Sequence, residues 1–127
     1  MTEASARSVS LAIPPKPDYI VLARLALSAI CRLTPLQPDD VADLKLAVSE
    51  IATERLAGTA EGSVRVLFQL EDDRLVVDLH AGPAPEGSED ALSRAIVEAT
   101  VDEVTYENSS VRLVKRLPSG GEIEPEA

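Results

Sequence analysis

The chain has 127 residues, 45% of them hydrophobic, with one cysteine, two tyrosines, one phenylalanine, no tryptophan and a formal net charge of −10. That length suits one domain with an ordinary core, built here from Leu, Val, Ile and Ala. The charge argues against direct binding to nucleic acid, whose phosphates it repels, and favours a basic protein partner. A single cysteine excludes a disulfide framework and fits a reducing, cytoplasmic compartment. No stretch reaches the ~18 apolar residues of a membrane span, and the first residues lack a signal-peptide pattern.

Residues 1–7 are small and polar and are expected to be disordered. Ser8 to Ile13 alternates loosely and predicts a strand, stopped by Pro14, Pro15 and Pro17. Asp18 to Leu33 predicts a helix with Leu22, Leu25, Ala26, Ala29, Ile30 and Leu33 on its apolar side. Cys31 lies on that helix and reads as a small core residue, not a nucleophile. A Pro-punctuated turn, Thr34 to Pro38, leads into a second helix from Gln37 to Leu56. There Val41, Leu44, Val48 and Ile51 recur at spacings of 3, 4 and 3, one stripe of an amphipathic helix. Asp39, Asp40 and Asp43 suit the helix dipole, Pro38 sits near the start, and Gly58 follows the end. Glu50 and Glu54 share a face one turn apart. From spacing they read as a solvated acidic face, with a metal or catalytic carboxylate pair as the sharper alternative.

Thr59 to Gly62 is a loop, and Ser63 to Leu70 a strand with Val64, Val66 and Phe68 on one side. The acidic turn Glu71 to Asp73 makes a hairpin with the strand Arg74 to Ala81. Leu75, Val77, Leu79 and Ala81 face one way, and Val76, Asp78 and His80 the other. His80 is the sole histidine, so no His-based metal cluster or Ser/His triad is available. It reads as a solvent-facing residue at a strand edge, and Asp78 on the same face could couple to it. Gly82 to Gly87 is a Pro/Gly loop, after which Ser88 can N-cap a helix running to about Asp102. Val104 to Tyr106 and Ser110 to Leu117 form a last hairpin, turning at Asn108 and Ser109. Arg112, Lys115 and Arg116 on its second strand read as edge protection. The tail 118–127 is acidic and expected to be disordered, leaving one domain over 8–117. The order β-α-α-β-β-α-β-β predicts an α+β two-layer sandwich, an antiparallel, mixed sheet with helices on one face.

That order, with DDVADLKLAVSEIATERL on the second helix and VRLVKRL at the end, resembles a known family. Over residues 8–117 the chain looks like the small anti-sigma-factor serine kinases of the GHKL (Bergerat-fold) ATPase superfamily. The most telling stretches are DLKLAVSE, Asp43 to Glu50, and VDEV, Val101 to Val104, before the last hairpin. The resemblance implies an ATP and Mg²⁺ site between helices and sheet. It implies a homodimer, a sigma factor as partner, and phosphorylation of a serine on an antagonist (anti-anti-sigma) protein.

The family's motifs transfer position by position. Glu50 stands at its catalytic glutamate, and Glu54 where an asparagine holds Mg²⁺. A carboxylate can ligand Mg²⁺ but adds a negative charge near the triphosphate. The family's DxGxG turn fits in two registers. One puts Ala81 at the adenine-reading aspartate with Pro83 and Pro85 at the glycines; the other puts His80 there with Gly82 at the first glycine. The inward apolar pattern favours the first, and neither supplies the aspartate. The phosphate-cradling glycines fall at Ala91 and Ser93, with Glu89 and Asp90 in the same first turn. The resemblance thus implies a regulator that binds a sigma factor or its antagonist without ATP. The alternatives are a serine kinase with an unusual metal site at Glu50 and Glu54, and a dimeric pseudo-ATPase scaffold.

Overall fold

The structure, a computed structural model, describes residues 7–57, 59, 62–82 and 91–118. Strand β1 (Arg7–Ile13) leads through a single 3-10 turn (Pro17–Tyr19) to α1 (Ile20–Cys31) and α2 (Pro38–Ala57). Then come β2 (Val64–Leu70), β3 (Arg74–His80), α3 (Ala91–Thr100), β4 (Glu103–Tyr106) and β5 (Ser110–Arg116), the order the sequence predicts. The strands form one sheet in the order β1-β2-β3-β5-β4. All four pairings are antiparallel, so the sheet is not mixed.

Period-two alternation builds the core. On β2, Val64, Val66, Phe68 and Leu70 are buried while Arg65 is exposed. Register carries one apolar row across the whole sheet: Val9, Phe68, Val77, Leu113 and Val104. Leu44, Ala47, Val48, Ile51, Ala52 and Leu56 of α2 belong to the same core cluster, and Val41 packs against it.

The apolar side of α1 differs in part from the expected one: Ile30 is buried and Ala26 packs against the core, as expected. Its buried residues are Ile20, Ala23, Leu27, Ile30 and Cys31, whereas Leu22, Leu25 and Leu33 are exposed. The segment IVLARLALSAIC is apolar nearly all round, so its spacing alone cannot choose a face. A 3-10 turn with Pro17 at its start leads directly into the helix.

The third helix ends at Thr100, short of Asp102. The Thr100 hydroxyl turns back to the carbonyls of Ile96 and Val97, and the Asp102 N–H joins the sheet at the Val114 carbonyl, 3.0 Å away. The expected cap at Ser88, most of the loop before it (Pro83 and Pro85 included), Glu89, Asp90 and the tail beyond Pro118 lie outside the described residues.

Strand β5 lies between β3 and β4, so Arg112, paired on both sides, does not protect an edge, while Lys115 and Arg116 lie past the end of β4. The four-residue β4 covers Val111–Val114 of β5. Each cation instead meets a carboxylate. Arg112 grips Asp78 at 2.8 and 3.0 Å, Lys115 lies 3.6 Å from Asp40, and Arg116 lies 3.3 Å from Glu103. Asp78 and Arg112 are directly opposite in the register, which brings them closer than Asp78 and His80 two places apart on one strand. No described helix is long and apolar enough to cross a membrane.

Candidate functional site

Because Leu44, Val48 and Ile51 of α2 turn to the core, Glu50 and Glu54 fall on its flank, where α3 packs. Both are half-buried, so they are not a freely solvated acidic face. The Ser93 hydroxyl on α3 donates to Glu50 Oε1 at 2.8 Å. Next along α3, the Arg94 guanidinium lies 3.9 Å from the centre of the Tyr106 ring on β4. Burial pushes the Tyr106 phenol above its ordinary range; Arg94 pulls it down, Glu98 and Glu54 push it up, and Arg55 pulls it down. Those four charges therefore surround the phenol. Glu54 Oε2, Arg55 Nε, Arg94 Nε and Tyr106 Oη are buried and find no hydrogen-bond partner among the described residues.

Arg55 was not singled out by the sequence reading, though it continues the stripe of Leu44, Val48 and Ile51. A charge on a buried stripe is the available signal. It is 3% exposed and donates to the carbonyls of Asn108 and Glu107 at 2.8 and 2.9 Å. Thr59 donates to the Arg55 carbonyl and accepts from the Gly82 N–H at 2.9 Å. The end of α2 is thereby tied to the β4–β5 turn and to the end of β3.

A second feature lies on the other side of α2. Val21, Arg24, Leu25 and Ser28 of α1 and Lys45, Leu46 and Ser49 of α2 line a groove of about 350 Å³. Leu25 is 60% and Leu46 44% exposed. At Ser28 and Lys45 the groove continues into a hollow of about 420 Å³ that Arg32, Leu36, Pro38 and Val41 help line. Arg24, Arg32 and Lys45 make no ion pair among the described residues.

No family model matches the chain. It is 32% identical over 126 residues to the serine-protein kinase RsbW of Bacillus licheniformis, covering 80% of this chain and 79% of that protein. The chain belongs to the RsbW serine-protein kinase family. Another RsbW, from Listeria innocua, is 34% identical over 73 residues, covering 54% of this chain and 46% of that protein. A crystal structure of RsbU and RsbW domains from Mycobacterium tuberculosis matches with a TM-score of 0.66 at 13% identity, over 87% of this chain and 32% of that one. That likeness places the fold with an RsbW domain, in keeping with the GHKL-type architecture expected.

Of the positions matched to the family's motifs, the fold brings Glu50 and Ser93 into direct contact and sets Glu54 beside Tyr106 and its charges. Ala81 follows the end of β3, bonded through its N–H to the Ser109 carbonyl, and its methyl offers no acceptor. Gly82 is held by Thr59. Ala91 is exposed at the start of α3. Among the described residues no group of three or more His, Cys, Asp or Glu is placed to hold a metal.

Proposed function

We propose that this RsbW-family chain is an anti-sigma-type regulator that holds a protein partner, a sigma factor or its antagonist, in the α1–α2 groove without phosphoryl transfer. The exposed apolar cluster of Val21, Leu25 and Leu46 beside unpaired Arg24 and Lys45 supports this reading. Grouped apolar side chains left in water mark an interaction site. In a chain of net charge −10 the cations at the rim are a local exception. A partner helix with an apolar stripe flanked by carboxylates complements such a groove. Overall charge brings a basic partner near, and the groove fixes which of its segments docks.

Titration of the purified chain with candidate partners tests this. Leu25→Glu and Leu46→Glu are expected to weaken binding at least about tenfold, the effect of burying an unpaired charge in an interface, while thermal midpoints stay put. Wild-type affinity is expected to be the same with and without Mg²⁺-ATP. Serine kinase activity is the second reading, favoured by the relatives' name and by Glu50 at the family's glutamate position. Phosphate transfer from Mg²⁺-ATP to an antagonist protein, lost in Glu50→Gln, would replace the first reading with the second.

A further inference from the structure

We infer that Ser93 and Arg94 form an internal latch that closes the cleft between α2 and α3, so that this cleft takes up no Mg²⁺-nucleotide. The inference rests on the binding-only reading above and concerns its regulation. Three observations carry it. The acceptor oxygen of Glu50 that faces α3 is already engaged by the Ser93 hydroxyl at 2.8 Å. A hydrogen bond to a carboxylate is among the stronger kinds, and this one ties α3 to α2 across the cleft. Arg94, one residue on, is stacked on Tyr106 and fastens the same turn of α3 to the edge strand β4. Finally, the positions that would cradle phosphate carry the side chains of Ala91 and Ser93, and a triphosphate beside Ser93 meets the Glu50 carboxylate that Ser93 touches. The residues present therefore do not suit Mg²⁺-ATP.

The latch matters because α3 buries little apolar surface. It is 10 residues long, and Val97 is its one buried residue. A helix of that length is marginal alone and depends on its tertiary contacts. An element with so few apolar contacts belongs to the low-stability end of a structure, where single polar contacts set the opening equilibrium. Arg55 of α2 fixes the turn that follows Tyr106.

Hydrogen exchange of the full chain, read by mass spectrometry, tests the latch with Ser93→Ala, Arg94→Ala and the conservative Arg94→Lys. Each alanine substitution is expected to raise exchange across α3 by roughly five- to tenfold, the shift that one lost hydrogen bond gives a local opening. Amides of β2 and β3 should not change, which also shows that the variants fold. Adding Mg²⁺-ATP as the probe to the wild-type chain is expected to leave α3 exchange unaltered. Unchanged exchange in both alanine variants overturns the latch, as does protection of wild-type α3 by Mg²⁺-ATP. Partner titration in the α1–α2 groove is a separate measurement. A chain that binds partner there while its α3 ignores the substitutions loses the latch and keeps the docking function. Should Arg94→Ala fail to fold, Ser93→Ala, which removes one oxygen, decides alone.

Discussion

The Arg55 guanidinium donates to the Asn108 carbonyl oxygen at 2.8 Å, joining the last turn of α2 to a turn 53 residues further along the chain. Its second terminal nitrogen holds the adjacent Glu107 carbonyl at 2.9 Å. A guanidinium can serve two neighbouring carbonyls at once, whereas an ammonium is a point donor. Arg55→Ala removes both bonds and the packing of a buried stem. It is expected to cost about 2–4 kcal/mol, read as a lower urea midpoint at unchanged slope. Arg55→Lys should recover less than half of that loss. A near-neutral Arg55→Ala would show that the turn is held by other means.

Neighbouring leucines on α1 test which of its faces is the core. Leu27 is 0% exposed and Leu25 60%. Leu27→Ala leaves a cavity under the helix and should destabilise by about 2–5 kcal/mol. Leu25→Ala should lie within about 0.5 kcal/mol of wild type, as surface changes do. Chemical denaturation of the two variants decides the matter, and a reversed order would restore the stripe expected from spacing.

Much of this fold is written locally. Alternation on β2 and β3, the acidic turn between them, and the α2 stripe of Leu44, Val48 and Ile51 each depend on a few adjacent residues, and the structure keeps all of them. What was not legible depends on phase or on distant pairing. An almost wholly apolar α1 has no periodic contrast to reveal its inner face. The neighbours of β5 follow from where the chain returns after α3, which spacing does not encode. Arg112, Lys115 and Arg116 therefore looked like edge residues when each has a carboxylate partner. The candidate site divides the same way. Glu50 stood out by its position in DLKLAVSE, but its hydrogen-bond partner lies 43 residues away and meets it only because α3 packs on α2.

The charges around Tyr106 make its titration a readout of the α2–α3–β4 junction. Burial is the main cause lifting the phenol above its ordinary 10.0; Arg94 opposes it, Glu98 and Glu54 add to it, and Arg55 opposes it. In a Tyr19→Phe background, which leaves one tyrosine, the tyrosinate absorbance should rise with a midpoint above 10.0. Arg94→Ala removes a cation that favours the phenolate and should move the midpoint further up. Glu54→Gln removes a like charge and should move it down. The linkage has a definite sign. The folded-state value lies above the unfolded one, so the unfolded chain releases the proton first. The associated stability is complete below the ordinary value of 10.0 and is lost as pH rises through the folded value. Unfolding midpoints should accordingly fall at alkaline pH less steeply in a Tyr106→Phe variant than in wild type. A downward shift of the phenol in Arg94→Ala would mean that the guanidinium does not rest on the ring in solution, and α3 would lose its contact with Tyr106.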